Sequence, residues 1–391
     1  SEVGRLLLLS NGHGEDLSGA LLGQALIDCG HTVTALPLAG LGGPYQQAGI
    51  TLLGSSHEFS TGGLGYTSLR GRLTELVQGQ ILYLLRRLLR LLLSRKRFDL
   101  ILVVGDVIPV IAAWLSRRPV ATYLVAYSSH YEGTLRLPWP CAALLRSHRF
   151  LKIFSRDQLT ADDLSQQLKR PVNFLGNPFM DPVLTATPAL PAAAQRIGLL
   201  PGSRRPELDA NLNLMLQLVT RLPQRKDLSL DLALVASLRN EELAVLAKRA
   251  GWTLHAGVLL QEGAPAIHVH RNGFQAVLQS SDLVLGMAGT AVEQAVGLCR
   301  PALQLPGGGP QFTAAFAEAQ RRLLGPTVFC APGEASSMEN LEASAALCLD
   351  LLHRSRWDEE LKRCCRKEAQ RRLGDRGGGL RMAKAISSLL P

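Results

Sequence analysis

Two glycine-centred stretches in the second half of the chain hold the residues best suited to grip an anion. In Ser281 to Leu298, SDLVLGMAGTAVEQAVGL, the apolar run Leu283 to Leu285 leads into Gly286-Met287-Ala288-Gly289-Thr290 and then an Ala/Val/Glu/Gln segment of helical character. A strand, a glycine turn and a helix N-terminus in that order offer unpaired backbone N–H groups and a positive dipole end. Phosphate is the usual ligand of such a turn. Glu293, on the first turn of the helix, suits the dipole and can accept hydrogen bonds from sugar hydroxyls. The second stretch runs from the strand Arg196 to Leu200 through Pro201-Gly202-Ser203-Arg204-Arg205-Pro206-Glu207 into a leucine-spaced helix from about Leu208 to Leu222. It adds the Ser203 hydroxyl and the Arg204 guanidinium, both able to reach phosphate oxygens. Either stretch alone also reads as an ordinary β-α turn; together they suggest a diphosphate site made of Gly202, Ser203, Arg204, Gly289 and Thr290, with Glu293 for sugar hydroxyls.

The first half supplies groups for proton transfer. After the apolar run RLLLLS, Arg5 to Ser10, comes the loop Asn11-Gly12-His13-Gly14-Glu15-Asp16, with a helix expected from about Leu17 to Cys29. His13 has the side chain whose ordinary pKa lies nearest neutrality, and Glu15 and Asp16 read as helix-start residues. Asp106 stands at the C-terminal end of the strand Asp99 to Val104, where open parallel sheets bind ligands. A dinucleotide site is disfavoured: Leu17 occupies the third glycine position of G-x-G-x-x-G, and no acidic residue ends the strand His31 to Pro37.

The segments LLPGSRRPEL, GNPFMDP (Gly176 to Pro182), LGGPYQQAGI (Leu41 to Ile50) and MAGTAVEQA resemble, in matching order, the landmarks of the lipid-A-disaccharide synthase family. The likeness runs from roughly Ser10 to Arg322 and is nearest to the cyanobacterial lipid-A-disaccharide-synthase-related proteins, where SNGHGED also opens the chain. It implies an α/β protein of the GT-B class, two Rossmann-like domains with a cleft between them. It also implies an inverting glycosyltransferase taking a UDP-sugar as donor and a lipid-linked acceptor at a membrane. The family carries two acidic residues flanking a proline approach in the segment that here reads Gly105-Asp106-Val107-Ile108-Pro109-Val110, with no acid after the proline. That departure places His13, in a loop where other inverting GT-B enzymes hold a histidine, slightly ahead of Asp106 as general base. His268 and His270 fall where relatives hold the nucleotide base, and Asn177 reads as a structural residue. Without a D-x-D pair or a zinc spacing, transfer is expected to need no metal and no cofactor beyond the donor. A UDP-sugar 2-epimerase and a non-catalytic nucleotide or lipid carrier are the competing readings.

Alternating apolar runs and helical patterns argue for parallel sheets covered on both faces. The Pro/Ala/Thr stretch Leu184 to Gln195 marks the expected boundary between an acceptor-binding domain at 1–183 and a donor-binding domain at 196–370. A final helical segment at 371–391, entered through Gly377-Gly378-Gly379, is expected to cross back to the first domain. Leu38 to Pro44 and Ser55 to Tyr66 are long enough to line a cleft. From Leu69 to Arg97 the pattern predicts one long helix with Arg86, Arg90 and Arg97 on one side and Ile81, Leu84, Leu85, Leu88, Leu91 and Leu92 on the other. Such a helix suits an anionic membrane surface and equally suits packing on a core.

The chain has 391 residues, 47% hydrophobic, with a formal net charge of +10. That charge fits an anionic membrane or a phosphorylated substrate. Nucleic acid is disfavoured because the basic residues are not interleaved with stacking aromatics. Seven cysteines without C-x-x-C spacing point to a reducing compartment. With no secretory signal and no uncharged apolar run of spanning length, the expected location is cytoplasmic and peripheral on a membrane's inner face. The oligomeric state is not legible.

Overall fold

The computed structural model describes residues 3–54, 69–287, 289–307 and 321–391. The chain forms two compact units: Ser1–Asp181 together with Gly374–Pro391, and Pro182–Leu373. The loop Ser55 to Tyr66 lies outside the described residues.

The first unit is built on β1 (Arg5–Ser10), β2 (Thr32–Pro37), β3 (Thr51–Leu52), β4 (Leu100–Val104), β5 (Val120–Leu124) and β6 (Phe150–Ser155), in the order β3-β2-β1-β4-β5-β6. Every pairing is parallel. Its strands are near-continuous apolar runs because both faces are covered. One face carries Leu7, Leu9, Ile101 and Val103 against α2 (Leu69–Ser94), α3 (Val107–Leu115) and α4 (Gln158–Leu168). The other carries Leu6, Leu8, Leu100 and Leu102 against α1 (His13–Asp28) and residues from the chain's last helix.

The second unit holds β7 (Gln195–Leu200), β8 (Leu228–Leu234), β9 (Thr253–His255), β10 (Val258–Leu260), β11 (Ile267–Arg271), β12 (Leu283–Gly286), β13 (Ala302–Gln304) and β14 (Val328–Phe329), ordered β14-β13-β12-β7-β8-β11-β10-β9. All pairings are parallel except β9–β10 and β10–β11, a hairpin at one edge. Helices α5 (Glu207–Val219), α6 (Asn240–Arg249), α7 (Phe274–Ser280), α8 (Thr290–Gly297), α9 (Met338–Trp357) and α10 (Glu359–Arg372) accompany it.

In each sheet the strands after the first are laid on one side of it, with β9, β10 and β11 of the second sheet running back inward from the edge, and the chain then restarts on the first strand's other side. The reversal falls between β1 and β4 in the first unit and between β7 and β12 in the second. At such a reversal the two following loops part and leave a crevice beyond the strand C-termini, the general ligand position of open α/β sheets.

The last helix, α11 (Gly378–Ser387), belongs to the first unit, where Met382, Ala383 and Ile386 enter the core beside Leu22 and Leu26 of α1. Both oxygens of Asp181 accept hydrogen bonds at its start, from Gly377 N (2.8 Å) and Gly379 N (3.0 Å). Gly377-Gly378-Gly379 is therefore a docking point and not only a break.

Candidate functional site

In the first unit the two loops at the β1/β4 reversal bring together Asn11, Glu15 and Asp106. Helix α1 starts at His13, four residues earlier than the sequence suggested, because Gly12 takes φ 142°, ψ 164° and turns the chain directly off the strand. His13 is thereby an exposed first-turn residue and not part of a loop. Glu15 Oε2 accepts from Asn11 N at 2.7 Å. The carboxyl lies against Gly105, where a Cβ would come within 2.4 Å of Oε2. Asp106 caps α3, accepting from Ile108 N at 3.0 Å, and takes the Asn11 amide at 3.2 and 3.4 Å on its two oxygens. Burial, then the charge of Asp106, raise the Glu15 pKa to about 8, with the Asn11 N–H opposing them.

Asp16 plays a different part. It is buried, bonded to Ser10 Oγ at 2.6 Å, and Ser10 in turn meets the Tyr45 hydroxyl at 2.6 Å. Burial raises its pKa to about 6, with the Ser10 hydrogen bond opposing the rise. This chain ties α1 to its strand, and Asn177 does similar work by accepting from the Tyr123 hydroxyl at 3.1 Å.

In the second unit the β7/β12 reversal sets the two glycine turns on neighbouring strands. Gly286 lets α8 pack closely, since a Cβ there would meet Val292 Cγ2 at 2.8 Å. Gly289 caps α8 at φ 123°, and no described residue lies within 4 Å of its would-be Cβ. Glu293 is half-buried on the first turn of α8. Thr290 opens that helix; its side chain, like Ala288, lies outside the described residues. Across the reversal, Gly202 takes φ 101°, and Gly202, Ser203 and Arg204 are all exposed. The Arg204 side chain pairs with no described residue. Arg205, by contrast, is held by Asp209 and Glu242, whose carboxylates raise its pKa. This turn does not feed straight into a helix: α5 begins only at Glu207 and carries Glu207 and Asp209 in its first turn. The polar groups exposed on this side are thus those of the turn itself and Arg204, with the α5 dipole already matched by carboxylates.

The structure does not bring His268 to these turns. It is exposed on β11, three residues short of the strand's C-terminal end, roughly 10 Å below the rim. His270 is nearer the end, but its Nε2 is bonded to Asp231 at 2.5 Å. Among the described residues no group of three or more His, Cys, Asp or Glu converges as metal ligands would.

The long helix α2 differs from its sequence pattern. Arg87, not chosen from the sequence, is only 2% exposed; it donates to Leu53 O and the Tyr83 hydroxyl and lies over the Tyr83 ring. Leu91 is buried and Leu84 and Leu88 are half-buried, whereas Leu76, Val77, Ile81, Leu82, Leu85, Leu89, Leu92 and Leu93 are exposed, Leu93 by 79%. Arg86 is exposed at the edge of this apolar face and Arg90 is half-buried with its guanidinium against Gly54. Arg97 lies beyond the helix in a short 3-10 turn, Arg95–Arg97. No helix among the described residues is long and apolar enough to cross a membrane.

No protein-family model and no curated protein matches the chain. Solved structures do. The glycosyltransferase of kitacinnamycin aligns over 100% of both chains at 17% identity with a TM-score of 0.57. CalG4, the calicheamicin glycosyltransferase, aligns over 99% of this chain and 98% of its own at 15% identity, TM-score 0.60. A Listeria monocytogenes protein assigned as a UDP-N-acetylglucosamine 2-epimerase aligns over 99% and 97% at 18% identity, TM-score 0.56. At these identities the likeness establishes the fold, which is GT-B.

Proposed function

We propose that the chain is an inverting, metal-independent glycosyltransferase that moves a sugar from a UDP-sugar to a lipid-linked acceptor at a membrane surface, in the manner of the lipid-A-disaccharide synthases. The observation that carries the donor half is the pair of glycine turns flanking the β7/β12 reversal, with an arginine that pairs with no described residue beside one and a helix N-terminus behind the other. Opposed donors of this kind suit a diphosphate leaving group, whose charge they stabilise as the glycosidic bond breaks. The glycosyltransferases that share the fold support the same reading. Gly202, Ser203, Arg204, Gly289 and Thr290 hold the diphosphate, and Glu293 the ribose hydroxyls; the β1/β4 crevice takes the acceptor hydroxyl, with His13 and Asp106 as the sequence-based candidates for its base.

Arg204→Ala should weaken UDP binding roughly 10- to 100-fold, since a charge-assisted hydrogen bond contributes about 1.5–3 kcal/mol. Titration calorimetry decides it, and an unchanged Kd removes Arg204 from the site. The fold is shared with the protein assigned as an epimerase, so the product separates the two activities: release of UDP with a new glycoside marks transfer, and an epimerised UDP-sugar marks the other.

The lipid half rests on α2. Its exposed apolar face is flanked by Arg86, Arg90, Arg95, Lys96 and Arg97, and residues 76–98 contain no acidic side chain. A second copy packed on that face would bring like charges together, whereas anionic headgroups complement them, each nearby basic residue contributing on the order of 1 kcal/mol. The leucines, and not the arginines alone, make the contact. Leu85, Leu89 and Leu93 changed together to serine should abolish sedimentation with phosphatidylglycerol vesicles while leaving the melting temperature unchanged or higher. Full sedimentation of that variant at low salt would remove α2 from the docking surface.

A further inference from the structure

We propose that Glu15 takes the proton from the acceptor hydroxyl, with Asn11 and Asp106 as its positioning residues; the inference rests on the transfer reaction proposed above. The two bases suggested by the sequence are placed otherwise. His13 is exposed on the first turn of α1. Asp106 already accepts from Ile108 N and from the Asn11 amide, so both its oxygens are engaged at the helix cap. Glu15 accepts from Asn11 N through Oε2 alone, and no described residue donates to Oε1. Its carboxyl lies on the Gly105 backbone at the β1/β4 reversal. One carboxylate oxygen is thus anchored and the other left to a ligand, which is the geometry a proton acceptor needs.

The step balances simply. The acceptor oxygen forms its bond to the anomeric carbon, the carbon–oxygen bond to the diphosphate breaks with its electron pair leaving on UDP, and the hydroxyl proton passes to Oε1, giving the neutral carboxylic acid. That neutral form is the one burial and the Asp106 charge favour. The base form accordingly increases as pH rises.

The test compares the parent with Glu15→Gln, which keeps the acceptor for Asn11 N and matches the protonated acid in shape. UDP affinity is measured first, then turnover of UDP-sugar with lipid acceptor or with water. The expected result is UDP affinity within twofold of the parent, kcat lower by 100-fold or more, and loss of the parent's rise in rate as pH approaches about 8. Glu15→Asp should recover part of the rate. A smaller loss, or a variant that keeps the parent's pH profile, overturns the assignment of Glu15 and leaves the donor site standing. A parent that binds UDP but turns over nothing overturns the transfer reaction, and Glu15's role with it. A parent that binds no UDP overturns the donor reading itself, and that outcome is seen before any variant is made.

Discussion

Asp231→Ala should destabilise the second unit by about 3–5 kcal/mol, the cost of removing one partner from a buried ion pair. Asp231 is 1% exposed in the middle of β8 and receives three donors: Arg196 Nη1 at 2.5 Å, Ser229 Oγ at 2.8 Å and His270 Nε2 at 2.5 Å. Arg196 is itself 5% exposed, and its other terminal nitrogen donates to Pro191 O. Alanine leaves a guanidinium in the sheet with no counter-charge, and that is where most of the loss arises. Replacing both partners with apolar residues, Arg196→Met with Asp231→Leu, should recover much of it. Urea unfolding midpoints test both expectations. A loss below about 1 kcal/mol for the single variant would mean that water reaches the pair.

Gly378→Val should cost about 3 kcal/mol, at the upper end of ordinary overpacking, and should act on the first unit although the position is near the C-terminus. A Cβ at Gly378 would stand 2.6 Å from Gly176 C and 2.7 Å from Asn177 N. Both are backbone atoms, so no rotamer relieves the clash and α11 must lift away. Met382, Ala383 and Ile386 would then leave the core they share with α1, and the Asp181 hydrogen bonds to Gly377 and Gly379 would be lost. Hydrogen exchange should show faster exchange along α1, while β7 and β8 keep their protection. Unchanged protection of α1 would show that the contact is dispensable.

The alternation of apolar strands and amphipathic helices is a local signal, and it located both Rossmann-like halves and both glycine turns without knowledge of contacts. The turn after β7 was legible as Pro-Gly-Ser-Arg, and the leucine spacing put the start of α5 at about Leu208, one residue from its observed start at Glu207. His13, by contrast, was misplaced. Gly12 and Gly14 read as loop, and only the backbone shows that the helix starts between them. Glu15 passed as a helix-start acid because its importance comes from Gly105 and Asp106, about ninety residues away. Arg87 was assigned to no side, since a periodicity argument treats every arginine as a surface residue and cannot anticipate the Leu53 carbonyl and Tyr83 hydroxyl that accept its protons.

The first unit is assembled from two stretches that lie at opposite ends of the chain, Ser1–Asp181 and Gly374–Pro391. Synthesis is directional, and folding during translation ordinarily proceeds from the N-terminal domain onward. In this chain the second unit, all of it present once Leu373 has been added, can close while the first still waits for α11. Until then the apolar side of α1 that receives Met382 and Ile386 has no cover, so the earlier-made half spends the longest time on the ribosome as an unfinished surface. The region with most need of a chaperone is therefore the N-terminal one, whose core is completed only after the whole second unit has been made.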